Sequence, residues 1–292
     1  MYDIGVYKRG GVFLHPTPYT LHPIFMIHLR SIALKKSRGR PDSFPFSVPI
    51  VRTLDVLEFT APVTLLVGEN GSGKSTLLEA VACSVGAVTV GSDGVATDGT
   101  LEQVRHLADA LTQSWHKRTH RGFFLRAEDF FGYAKRISRL RAEAATQIDL
   151  IDSTYEGRSE LAKRLAKMPH ASTIGDLERR YGEGLDAQSH GESFLKLFQQ
   201  RLVPNGLYLL DEPEMPLSPL RQLALLSLLK EMVQKDCQFI IATHSPIILA
   251  FPGAQILSCD SAPMQEVQYE ELESVQLMKD FLNGPERYLD RL

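Results

Sequence analysis

Three cysteines in 292 residues, Cys83, Cys237 and Cys259, are too few and too far apart for a disulfide framework, and no CxxC pair is present. Their odd number fits a reducing compartment, with each thiol serving as a small core residue. Long apolar runs are also missing. The most apolar stretch, residues 237–251, is interrupted by Thr243, His244, Ser245 and Pro246, well short of the roughly 20 apolar residues of a spanning helix. Pro16, Pro18 and Pro23 break up any signal-peptide core, so a cytoplasmic protein without membrane insertion is expected. Neither charge sign dominates: 32 Lys and Arg against 35 Asp and Glu leave a formal charge of −3, which supplies no global basic field for nucleic acid. Internal repeats and sustained heptads are absent too.

What is present is an ordinary globular composition, 43% hydrophobic and 23% charged, which excludes disorder and collagen-like structure. The length allows one large domain or two small ones. Strand-like runs stand at Ile24–Leu34, Leu54–Phe59 and Val63–Val67, and a helix is expected from Lys74 to about Val85. The middle, residues 101–168, reads as helical, with Gly122–Ala127 as one more strand candidate. After Ser189 the pattern alternates again: helix Glu192–Arg201, strand Leu207–Leu210, helix Leu220–Gln234, strand Gln238–Ala242 and strand Gln255–Ser258.

Gly68-Glu69-Asn70-Gly71-Ser72-Gly73-Lys74-Ser75-Thr76 matches the phosphate-binding loop pattern in full, after a strand-like run and before a helix-like one. Its glycines let successive backbone N–H groups point at phosphate oxygens, and the helix N-terminus adds positive potential. Lys74 is expected to bridge the β- and γ-phosphates of a nucleotide, and Ser75 to ligate Mg²⁺. Leu207–Asp211 is an apolar strand ending in two carboxylates: Asp211 suits the metal and Glu212 suits a proton from the attacking water. Read singly, two further motifs have ordinary explanations. Ser189-His190-Gly191-Glu192 is an anion site at a helix start or simply an N-cap with Glu192 in the first turn. Thr243-His244-Ser245-Pro246 puts His244 past a buried strand, either as polar surface or to orient water beside a γ-phosphate.

The order of these four elements resembles the ATP-binding-cassette ATPase superfamily over residues 24–258. The resemblance implies an α/β P-loop NTPase head with a mixed, largely parallel sheet. Because the phosphate loop and the strand ending in Asp211 must meet at one nucleotide, a cut near the middle of the chain is excluded, and a single domain over 1–292 is expected, with 99–188 as an inserted helical lid. ATP and Mg²⁺ are the implied cofactors, and head-to-tail homodimerisation would bring Ser189, Gly191 and Glu192 of one copy onto the nucleotide held by the other. Leu217-Ser218-Pro219 would be a degenerate D-loop.

Ser-His-Gly-Glu and Thr-His-Ser-Pro depart from transporter patterns and resemble the non-transporter branch, the RecF-like and chromosome-maintenance-like ATPases. Lys74 to Ser189 leaves no room for their long coiled-coil arms. Glu128 stands where a metal-contacting glutamine is expected, about 50 residues past the phosphate loop. Phe44 or Phe46 is read either as an adenine platform or as core packing. The process that ATP drives is open between nucleic-acid work, suggested by eight basic residues over Lys117–Arg141, an unidentified protein partner in a defence system, and service as the ATP-binding subunit of a membrane transporter.

Overall fold

A computed structural model of the chain describes residues 26–35, 42–90, 94–181 and 190–290. The elements run in the order β1 (Leu29–Leu34), α1 (Pro49–Arg52), β2 (Val56–Glu58), β3 (Val63–Val67), α2 (Lys74–Val85), α3 (Glu102–Ala110), β4 (Leu111–Trp115) and β5 (Gly122–Arg126). Then follow α4 (Ala127–Thr154), α5 (Glu160–Tyr181), α6 (His190–Arg201), β6 (Leu207–Asp211), α7 (Pro219–Val233), β7 (Gln238–Ala242), α8 (Pro246–Leu249), β8 (Gln255–Ser258), β9 (Gln265–Glu266), α9 (Glu273–Asn283) and α10 (Glu286–Leu289).

The main sheet has the order β5-β6-β7-β3-β8-β9 and is parallel except for the β8–β9 pair. Its central strands, VTLLV, LYLLD and QFIIA, are buried at every position, because helices cover both faces and no residue can face water. One face packs on Phe194, Leu197 and Phe198 of α6 and Leu225 and Leu229 of α7. The other packs on Leu77, Leu78 and Val81 of α2. Beyond α2 and α3 lies an antiparallel sheet of order β2-β1-β4, so α2 is sandwiched between two sheets.

The two sheets are stitched by a fully buried amide. Gln238 Oε1 accepts from the N–H groups of His28 and Leu29, at 2.9 and 2.8 Å, while its Nε2 donates to Leu29 O at 3.0 Å. Every polar atom of that side chain is thereby satisfied, as burial requires.

Of residues 99–188, expected together as a helical lid, the part up to Arg126 contributes α3, β4 and β5 to the two-sheet head. Ala127–Thr154 and Glu160–Tyr181 form an antiparallel helical hairpin. Residues 101–168 are therefore not uniformly helical. Leu111–Trp115 alternates buried and more exposed positions and pairs with β1, a period-2 pattern that tertiary pairing favours over helix. Among the described residues, no helix is long and apolar enough to cross a membrane.

Candidate functional site

Parallel strands deliver their C-terminal ends to one edge of the sheet, where the loops carry chemistry. Here β3, β6 and β7 end together: Leu66 is in register with Ala242, and Ala242 with Asp211. Residues far apart in the chain thus meet at one edge.

The loop after β3 curls through three positive φ angles, at Gly68, Gly71 and Gly73. At Gly73, φ is 98° and an added Cβ would lie 2.4 Å from Val48 Cγ1, so both backbone and space demand glycine. α2 starts immediately after it, leaving its first N–H groups directed at the loop. The buried Lys74 ammonium folds back into this cradle, donating to the carbonyl oxygens of Gly68 at 2.7 Å and Glu69 at 2.9 Å. Asp260, just past β8, braces the loop by accepting from Glu69 N–H at 2.7 Å.

Ser75 Oγ donates to Asp211 Oδ1 at 3.1 Å, across 136 residues of chain. Burial pushes the Asp211 carboxyl up to about 6; the Ser75 hydrogen bond opposes this, Glu212 adds to it, and Lys74 and Arg126 oppose it. A buried carboxylate with incomplete charge compensation beside a hydroxyl is a pair of hard oxygen donors, the type that suits Mg²⁺. Glu212 turns away in the left-handed region, φ 49°, a conformation that costs energy in a non-glycine residue and is held by its N–H bond to Ala242 O at 2.9 Å. Its Oε1 lies 3.7 Å from His244 Nε2, both side chains being about one-third exposed.

Glu214 and Arg126, which local pattern did not single out, complete the edge. Glu214 Oε1 accepts from Thr243 Oγ1, His244 N–H and Ser245 N–H at 2.8, 2.7 and 3.2 Å. Arg126, next to Asp211 in register, is buried among Asp98 at 2.7 Å, Asp129 at 2.9 Å and Glu79 of α2 at 3.3 Å. Hydrogen bonding and the charges of Asp129, Glu79 and Asp98 raise its affinity for its proton against the opposing effect of burial. Glu214 had one available signal, a second acid two residues beyond Glu212. Arg126 had none, since it looks like one base in a basic run.

That run is not one surface. Arg126 is buried, Arg139 pairs with Glu143 and Arg141 with Glu178, both at 2.8 Å, while Lys117, Arg118, Lys135 and Arg136 are exposed. Glu128 lies in the first turn of α4, its side chain outside the described set, and Ser189 is outside the described residues altogether. Gly191 and Glu192 begin α6 and lie against the segment after Glu212. A Cβ on Gly191 would meet Pro216 O at 2.7 Å, and Glu192 pairs with Arg221 at 3.7 Å. Ser218, in the expected D-loop, stands at the N-cap position of α7 without a side-chain capping hydrogen bond. Phe46 packs against the core beneath α2, and Phe44 is exposed.

A phosphate loop, a strand-tip Asp-Glu pair and a histidine just past the neighbouring strand, at one edge of a largely parallel sheet, define an ATP hydrolase of the P-loop class. A family model described as "AAA domain, putative AbiEii toxin, Type IV TA system" matches residues 104–250, half of the chain, and the chain belongs to that family. A second model, "AAA domain", matches residues 46–157.

Among curated proteins, the chain is similar to the macrolide export ATP-binding/permease protein MacB of Hahella chejuensis, 26% identical over 205 residues. That match covers 70% of this chain and 29% of the relative, so the chain spans under a third of its length. Similar solved structures include the Smc head domain of Pyrococcus furiosus, at 12% identity and TM-score 0.42, covering 87% of this chain and 99% of that one. A nucleotide-free ATP-binding cassette from an ABC transporter is another, at 17% identity and TM-score 0.43, covering 87% and 95%.

Proposed function

We propose that this ATPase binds Mg²⁺ and ATP at the Gly68–Thr76 loop and hydrolyses ATP in a head-to-tail homodimer. The observation that carries the reading is the Ser75–Asp211 hydrogen bond beside the Glu212–His244 pair. On this reading Lys74 swings from the carbonyls of Gly68 and Glu69 to the β- and γ-phosphate oxygens, and the N–H groups at the start of α2 hold the β-phosphate. Ser75 and Asp211, with Glu128 as a further candidate, would hold the metal, which supplies charge neutralisation at the phosphates.

Glu212 accepts the proton of the water that attacks the γ-phosphorus, as the bond to the β–γ bridging oxygen breaks and ADP leaves. His244 orients that carboxylate and the γ-phosphate. Gly191 and Glu192, with Ser189, would close on the nucleotide of the other copy; the close approach of Gly191 to Pro216 and the Glu192–Arg221 pair, beside the turn that follows Glu212, support this. Three free cysteines, two of them buried, fit the cytoplasm.

The test is Glu212→Gln. It should bind ATP, hydrolyse it about 10²–10⁴-fold more slowly, and elute as a dimer with ATP and Mg²⁺. Unchanged turnover removes Glu212 from the mechanism, and a monomer under those conditions removes the dimer. The similarity to MacB favours a second reading, an ATP-binding subunit serving a membrane partner, for which ATPase stimulation by a reconstituted membrane protein is the check. Nucleic-acid binding would rest on Lys117, Arg118, Lys135 and Arg136, and should weaken steeply with salt.

A further inference from the structure

His244 stands on the segment between β7 and the four-residue helix α8, and a partly exposed side chain on a short connection has no intrinsic reason to hold its imidazole 3.7 Å from Glu212. Three donors of that segment, Thr243 Oγ1 and the N–H groups of His244 and Ser245, converge on one oxygen of Glu214. Ser245 N–H also reaches Thr243 Oγ1 at 3.0 Å, and Ser245 Oγ donates to Gln222 Oε1 at 2.5 Å while capping α8. Glu214 in turn belongs to the tight turn that carries Glu212: Met215 N–H donates to Glu212 O at 3.1 Å, and Leu217 N–H to Glu214 O at 2.8 Å. The general base and the anchor of the histidine loop therefore share one turn.

A charged acceptor taking several N–H and O–H bonds is a strong and directional tether. The other carboxylate oxygen, Oε2, is buried without a hydrogen-bond partner among the described residues. Leaving such an atom orphaned costs stability, and a residue selected for folding alone would favour a smaller or neutral acceptor here. We propose that Glu214 is a positioning residue of the ATPase reaction. By holding the main chain of His244, it sets the distance between His244 and Glu212, and so the alignment of the base with its water. This rests on the roles given above to Glu212 and His244.

The experiment compares ATP hydrolysis by His244→Ala, Glu214→Ala, Glu214→Gln, Glu214→Asp and the His244→Ala/Glu214→Ala double variant, with thermal melts as the folding control. Misplacement by about 1 Å can cost on the order of 10²-fold. Glu214→Ala should therefore lower kcat tenfold to a hundredfold, on the order of misalignment losses, with little change in the KM for ATP. Glu214→Gln, which keeps an accepting oxygen at the same reach, should recover most of kcat, and Glu214→Asp, one methylene shorter, should not. The double variant should be no slower than His244→Ala alone, because both changes remove one function.

Wild-type kcat in Glu214→Ala, or losses that multiply in the double variant, overturn the proposal. If Glu214→Ala does not fold, equal kcat in the Gln and Asp variants overturns it. A His244→Ala enzyme at wild-type rate removes the histidine's role and this proposal with it, whereas a slow His244→Ala beside an unaffected Glu214→Ala overturns this proposal only.

Discussion

Asp211 is the residue at which stability and function should oppose each other most measurably. Burial lifts its carboxyl from an ordinary 3.8 to about 6, against the pull of Ser75, Lys74 and Arg126. That displacement corresponds to about 3 kcal/mol of destabilisation once the group is ionised. The sign follows from proton counts. Between about pH 4 and 6 the native state holds a proton that the unfolded chain has released, so this group's contribution falls as pH rises through that window. Its full cost is present above about 6. Asp211→Asn removes the charge and keeps an oxygen for the Ser75 hydroxyl. In metal-free, nucleotide-free buffer it should gain about 2–3 kcal/mol at pH 7.5, and the gain should shrink toward zero near pH 4. Urea unfolding at a series of pH values, followed by circular dichroism, reads both. If Asp211 holds the metal as proposed, the ranking should reverse with Mg²⁺ and ATP at about a thousand times Kd, where ligand stabilises the wild type by about 4.1 kcal/mol and the variant lacks that carboxylate. An Asp211→Asn protein no more stable than wild type at pH 7.5, or equally favoured at pH 4, would refute the reasoning.

Lys74→Ala should lose most ATP affinity, read by calorimetry, while gaining a neutral residue where a buried ammonium now bonds to two carbonyls. Gly73→Ala should impair both folding and nucleotide binding, since its φ of 98° and the 2.4 Å approach to Val48 leave no relaxed conformation; a melt and the same calorimetry check it. Arg126→Met should cost about 3–5 kcal/mol, as removing one member of a buried ionic cluster strands the others, and a denaturant midpoint within error of wild type would count against the cluster's importance.

The candidate site was legible where it is local. Gly68–Thr76 and Leu207–Glu212 are each one strand tip and its turn, so residue type and spacing alone carry them, and the apolar runs of β3, β6 and β7 mark buried parallel strands. What escaped is held by bonds that cross the chain. Arg126 reads as surface charge until Asp98 and Glu79, 28 and 47 residues upstream, are seen to surround it. Leu111–Trp115 reads as part of a helix until β1, some 80 residues earlier, offers an edge to pair with. Gln238 is an unremarkable polar residue until it ties β7 to β1 over 209 positions.

The same distinction bears on how an ATP cycle could be transmitted. Asp211 and Arg126 are in register on adjacent strands, and Arg126 also holds Asp129 in the first turn of α4 and Glu79 on the helix that follows the phosphate loop. Any change of charge at Asp211, through protonation or a bound cation, acts on a guanidinium that is already shared between the phosphate-loop helix and the base of the helical hairpin. Because the cluster is buried, that interaction is weakly screened. The helical hairpin is therefore rooted, through Asp129, in the electrostatics of the strand tip that carries Asp211.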